Sequence, residues 1–128
     1  MNKLIIDVAN EKFFLMIITS ANIYNITHEN TKINYERLTL IINDFLSSKN
    51  LKIAEINTIY INNRTRSFAG IRNLMSIVKA FNVAKNIDYY CYNLDNFKDE
   101  KDLSYESIPN LCKKYKIKKN LIKPIYIS

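Results

Sequence analysis

Asp7 closes an apolar opening run, and a carboxylate at a strand end does catalytic work when a second acid and a metal face it across a cleft. Asp44, Asp95 and Asp99 supply that second acid by arithmetic only, because no motif ties them to Asp7. The one histidine, His28, stands beside Glu29 at the end of a strand-like run. No serine or cysteine lies in a nucleophile setting, so it reads as a surface side chain rather than a base. Cys91 and Cys112 are far apart with no neighbouring Cys or His, which spells neither a zinc site nor a disulfide framework; both read as reduced thiols in or near the core. The expectation is a chain with no catalytic residue, metal or cofactor of its own.

Two other stretches invite a binding role. Six lysines fall between positions 113 and 123 without one acid, and the chain carries a net charge of +7. Lys113, Lys114, Lys116, Lys118 and Lys119, with Tyr115 among them, have the composition of a surface that tracks an RNA backbone. Against that stands the excess of Ile, Lys, Asn and Tyr, all served by codons rich in A and T, which raises lysine content without any function. The second stretch is Arg64-Thr-Arg-Ser-Phe-Ala-Gly-Ile-Arg72, which holds the only glycine of the 128 residues. At ordinary usage of about 7% a chain of this length has about nine glycines. The survivor, Gly70, is therefore expected to serve the backbone.

The elements that position these residues follow from periodicity. Residues 4–9, 12–19 and 22–28 are dense in β-branched and aromatic side chains with polar breaks between them, the pattern of an antiparallel meander. From 34 to 48 the period becomes helical, with Leu38, Ile41, Ile42 and Phe45 on one stripe and Asn34 as the expected N-cap. A strand at 56–61, a helix at 67–85 capped by Ser67, and a strand at 87–92 complete a β-β-β-α-β-α-β order. The second helix carries Ile71, Leu74, Met75 and Val78 on one side and Ile77, Ala80, Phe81 and Ala84 on another, so it needs cover beyond the sheet, from another helix or a partner. Residues 93–102 are polar, Ser107 and Pro109 open a short helix, and 122–127 is apolar enough to return as a strand. A meander followed by two crossover units is the plan of the ribonuclease H-like fold and of one lobe of the actin-like ATPases. The N-terminus meets Asp7 too soon for a signal peptide, and the longest apolar run is too short for a membrane span, so a cytoplasmic location away from membranes is expected.

With the segments placed, residues 56–72 and Lys79 resemble the TsaB (YeaZ) family, whose hallmark there reads GPGSFTGLR before an AK-containing helix. Ser67, Phe68, Gly70 and Arg72 match it position for position, and Glu36, Arg37, Leu38, Ile41, Ile42, Asp44 and Leu46 follow an HSERLLPLIDELL-like run. Asp7 stands at the aspartate of the family's IDTS opening, and Pro124-Ile-Tyr126 is similar to its closing P-x-Y-x-R. The departures are equally specific. Val8-Ala9 replaces Thr-Ser, Asn34 replaces a histidine, Arg64-Thr-Arg66 replaces Gly-Pro-Gly, and Ser128 replaces the final arginine. Arginine side chains do not restore the close backbone approach to phosphate that glycine allows, so nucleotide hydrolysis is not expected.

The resemblance implies an α/β actin-like N-terminal lobe over residues 1–97, with 98–128 as a remnant of a largely missing second lobe. It implies a non-catalytic accessory subunit that binds and activates a TsaD-type (Kae1-like) enzyme, with the TsaE ATPase as a further partner. That assembly attaches threonylcarbamoyl to adenosine 37 of tRNA, and tRNA would touch this chain indirectly or weakly. The partner-binding set is then Leu38, Ile41, Ile42 and Phe45 on the first helix and Ile71, Leu74, Met75 and Val78 on the second, and the same surface can pair with a second copy of the chain. Asp7, Ser67, Phe68, Gly70 and Arg72 would have structural work, with Arg72 either ordering its loop or meeting phosphate. The competing reading is a small basic RNA-binding module that contacts tRNA through its C-terminal lysines.

Overall fold

Segments dense in β-branched and aromatic residues form three strands, β1 (Lys3–Asp7), β2 (Lys12–Ile18) and β3 (Ile23–Glu29), in the expected antiparallel meander. In this computed structural model, which describes residues 1–65, 68–121 and 125–126, β1 also pairs in parallel with β4 (Thr58–Asn62), and β4 with a later strand, Asp88–Tyr92. A two-residue strand, β5 (Arg64–Thr65), leaves the main sheet after β4, so the Asp88–Tyr92 strand is β6 and the sheet order is β3-β2-β1-β4-β6. Short β5 pairs in parallel with β7 (Ile125–Tyr126); the rest of the closing strand expected at 122–127 lies outside the described residues.

The sheet is covered on both faces, and the pleat decides which residues go where. Leu4, Ile6, Leu15, Ile17, Ile59 and Ile61 point to a core shared with the helices α1 (Lys32–Glu36), α2 (Leu38–Ser48) and α3 (Phe68–Lys85). Their alternates Ile5, Met16, Tyr60 and Tyr92 point the other way, onto Phe97, Ile108, Leu111 and Cys112 of the chain that follows β6. Because β1 is buried from both sides, Leu4, Ile5 and Ile6 are all fully enclosed and the strand reads as a continuous apolar run. The boundary expected between residues 97 and 98 thus runs through this second core, with Phe97 on one side of it and Ile108 and Leu111 on the other.

The first helix begins earlier than its apolar stripe suggests and is not continuous. Thr31, not Asn34, is its N-cap, accepting from the Asn34 backbone N–H at 3.2 Å. The Asn34 side chain instead donates to the Glu29 carbonyl at 2.7 Å, holding the helix start to the end of β3. At Arg37 the backbone departs from helical angles and separates α1 from α2. Leu38, Ile41, Ile42, Phe45 and Leu46 are the buried stripe of α2. Of the second apolar side of α3, Ile77 and Phe81 join the core of the chain while Ala80 and Ala84 are exposed; α3 also packs against α1, where the Asn73 side-chain amide donates to the Tyr35 carbonyl.

With glycine absent from the loops, other residues hold the left-handed positions. Asn50, Asn86, Lys116 and Asn120 all have φ near +60°. Asparagine tolerates this region because its short amide bonds locally, whereas a long side chain such as lysine meets a steric cost of roughly 1–2 kcal/mol there. At the end of α2 the Leu51 N–H donates to the Leu46 carbonyl and the Asn50 N–H to that of Ser47, which closes the helix without glycine. Gly70 itself lies in the first turn of α3. Ser67, the expected cap of that helix, lies outside the described residues, and so do the surroundings of the Phe68 side chain. Among the described residues no helix is long and apolar enough to cross a membrane.

Candidate functional site at the carboxyl end of the parallel strands

In an open sheet with parallel strands, ligands meet the crevice outside the strands' carboxyl ends, where neighbouring connections diverge. Here β1 ends at Asp7, β4 at Asn62 and β6 at Tyr92, side by side. Asp7 and Asn62 are both buried, an unusual placement for a carboxylate unless it is well bonded. One Asp7 oxygen, Oδ1, accepts from the Ala9 N–H at 2.9 Å, which turns the chain out of β1. The other, Oδ2, accepts from the Asn62 amide at 3.3 Å and from the Tyr105 hydroxyl at 2.9 Å. Asn62 in turn accepts from the Arg64 N–H at 3.0 Å, which sets the direction of the chain after β4.

Tyr105 comes from the short 3-10 turn that leads into α4 (Ile108–Lys114), 98 residues from Asp7. Its ring stacks on Phe14 with centroids 3.9 Å apart. Burial, then the neighbouring Asp7 charge and the hydrogen bond to it, push the Tyr105 hydroxyl well above the ordinary phenol range, so it stays protonated and acts as a donor. Tyr92 is shifted the same way, by burial first and then by Asp7, and its enclosed hydroxyl has no hydrogen-bond partner among the described residues.

A cavity of about 220 Å³ opens beside this junction, lined by Asp7, Asn10, Leu94, Leu103, Tyr105 and Ile108. Small-molecule sites occupy about 300–1,000 Å³, so the cleft is narrower than a nucleotide needs. Asp95, weighed above as a second acid, turns away to Arg64, whose Nη2 lies 3.3 Å from its Oδ2. Asp95 is largely exposed and Arg64 about half so, and that pair adds little to stability. Asp44 is on α2 beside the half-buried His28, in a separate groove under β3. Among the described residues no group of three His, Cys, Asp or Glu side chains is arranged to hold a metal. Chemically the junction does one thing well: it ties the ends of β1 and β4 to the C-terminal segment.

The remaining expected site residues scatter. Leu38, Ile41, Ile42, Phe45, Ile71, Leu74 and Val78 are buried, all below a tenth exposed, so these side chains are core in this structure and not a free contact surface. Only Met75 of the eight is half-exposed. The apolar stripe of a helix marks the side facing its own sheet before it marks a partner, which is why the expectation moves to other residues. Arg72 is exposed on α3. Of the lysines, Lys114 pairs with Glu100 at 2.7 Å and Lys119 with Asp88 at 3.7 Å, while Lys113, Lys116 and Lys118 are exposed. The acids absent from residues 113–123 thus arrive from elsewhere in the chain.

Sequence reasoning missed Asn62 and Tyr105. Asn62 could have been suspected from a polar pair, Asn62-Asn63, ending a run as apolar as Ile59-Tyr-Ile61. Tyr105 gives no comparable signal, because its role depends on a contact distant in sequence.

No family model and no curated protein matches this chain. Solved structures do. YeaZ from Pseudomonas aeruginosa superimposes with a TM-score of 0.64 at 14% identity, covering 72% of this chain and 43% of YeaZ. A second structure, an uncharacterized protein with similarity to the peptidase YeaZ from the same organism, gives the same figures. Thermus thermophilus RuvC in complex with a Holliday junction substrate matches at 0.50 with 10% identity, over 77% of this chain and 68% of RuvC. The chain therefore has the YeaZ fold, shared more distantly with RuvC, and spans less than half the length of YeaZ.

Proposed function

We propose that this chain has a TsaB-like role in tRNA modification, as an accessory subunit that binds a TsaD-type enzyme and performs no chemistry itself. The observation that carries the reading is the YeaZ-like arrangement of β1 to β6 with α1 to α3, joined to the match of Ser67, Phe68, Gly70 and Arg72 with that family's motif. The state of Asp7 supports the non-catalytic part. Metal-assisted hydrolysis of the nuclease kind needs several carboxylates around its ions, and Asp7 is committed to Ala9, Asn62 and Tyr105.

In this reading the partner meets the outer side of the helical layer. Ile33, Leu40 and Val83 are exposed there on α1, α2 and α3, at 65%, 48% and 85%, with Met75 half-exposed nearby in sequence. These residues, rather than the buried stripe, would form the apolar centre of the contact. The same surface can serve a homodimer when the enzyme is absent, and TsaE and tRNA would join through the enzyme. Size-exclusion chromatography with light scattering on a mixture with the TsaD-type enzyme of the same genome tests it. A 1:1 or 2:2 complex is expected, and two separate peaks at micromolar concentration would reject it.

A further inference from the structure

On the sheet face away from α1 to α3, a groove of about 550 Å³ runs between β1, β4 and β6 and the end of α4. Its walls hold Lys3, Lys113 and Lys116, with Tyr60, Tyr90 and Ile117 beneath them. Lys3 comes from β1, the tyrosines from β4 and β6, and the other lysines from the end of α4, so residues distant in sequence converge on one place. No carboxylate lines the groove, and none of the three lysines has an ion pair among the described residues, whereas Lys114 and Lys119 beside it are paired outward. Tyr60 and Tyr90 are stacked, with centroids 5.3 Å apart and planes within 11°.

The end of α4 is built to present the lysines. The Ile117 N–H donates to the Cys112 carbonyl at 2.9 Å and the Lys116 N–H to that of Lys113 at 3.2 Å, the same closure that Asn50 makes for α2. At α4 a lysine takes the left-handed position that asparagine takes at α2 and after α3. A cation is thus kept at this rim where the backbone favours a smaller residue.

From this convergence of lysines without an ion pair over Tyr90 we infer that the groove binds a single-stranded RNA segment, its phosphates on Lys3, Lys113 and Lys116 and a base against the half-buried Tyr90, which the buried Tyr60 backs from the core. Unpaired cations select a polyanion, and an aromatic floor selects one with planar groups. The volume falls within the range of sites for small molecules, enough for a short stretch of the strand. The proposal does not depend on the accessory-subunit reading, since it concerns the chain without any partner.

Fluorescence anisotropy with a labelled octauridylate, on the full chain alone, tests it. Binding is expected to weaken with salt, with a logarithmic slope of about −2 for three phosphate contacts on a single strand. The double variant Lys113→Ala/Lys116→Ala should weaken binding at least tenfold at low salt and flatten the slope by about 1.4. Lys79→Ala/Lys85→Ala removes the same charge from α3, on the far side of the sheet, and should change affinity less than twofold. Circular dichroism checks that both variants stay folded, as their exposed positions lead one to expect. Absence of binding at low salt overturns the proposal, as does equal weakening by the two double variants. Competition by inorganic polyphosphate or polyglutamate as effective as unlabelled octauridylate also overturns it, because charge alone would then explain the binding.

Discussion

Asp7 receives hydrogen bonds from its own turn, from β4 and from the C-terminal segment, so single substitutions there report on three parts of the chain at once. Tyr105→Phe removes one bond to a charged acceptor and keeps the ring on Phe14. It should lower unfolding free energy by about 2 kcal/mol, measured by urea titration, and an unchanged midpoint would show that the bond carries nothing. The two cysteines make a second residue-scale test. Burial pushes Cys91 and Cys112 up to about 12 from an ordinary 9.0. The folded state therefore holds both thiol protons above pH 9 while the unfolded chain releases them. Stability is intact below about pH 9 and falls as pH rises towards 12. Urea midpoints compared at about pH 8 and about pH 10.5 should show the loss, and Cys91→Ala/Cys112→Ala should reduce it; an equal loss in the variant would move the effect to the buried tyrosines.

The helices carry the element-scale predictions. Val78 is fully enclosed between α3 and the sheet, so Val78→Asp is expected to unfold the chain. Leu40→Asp and Val83→Asp change exposed sites on α2 and α3 and should leave the melting curve near that of the parent. On the proposed function they should also abolish the complex in light scattering; a complex that survives both substitutions would place the partner elsewhere. Helix ends can be tested separately. Asn86 follows α3 with φ of 56°, so Asn86→Ala should cost about 1 kcal/mol and Asn86→Gly should be nearly neutral. Equal effects of the two would mean that the left-handed turn is not maintained in solution.

The whole molecule is a sheet between two unlike covers. One is the layer of α1 to α3; the other is built from residues after β6, with Phe97, Ile108, Leu111 and Cys112 against Ile5, Met16, Tyr60 and Tyr92. Burying one large apolar side chain contributes about 1.5–3 kcal/mol, so losing Ile108 and Leu111 together is comparable to much of a small domain's margin. A chain cut to residues 1–97 is therefore expected to be insoluble or unfolded, judged by yield and far-ultraviolet circular dichroism. A soluble, cooperatively melting fragment would show that the second cover is dispensable.

Composition and punctuation in the sequence were enough for the meander, and helical spacing for α2 and α3 and, apart from the break that separates α1 and the short β5, for the order β-β-β-α-β-α-β, because these are local properties of the chain. The match around Gly70 likewise stood in the sequence alone. Local pattern failed wherever the outcome depended on a distant neighbour. Residues 93–102 read as polar, yet they contain Phe97, one of the fully buried side chains, because a single aromatic gives no period. The stripe on α2 and α3 announced apolar contact without saying with what, and the sheet took it before any partner could. The acids that answer Lys114 and Lys119 come from Glu100 and Asp88. The tying of Asp7 by Tyr105 and the gathering of Lys3 with Lys113 and Lys116 were decided only by tertiary structure, since each joins segments about a hundred residues apart that no local rule connects.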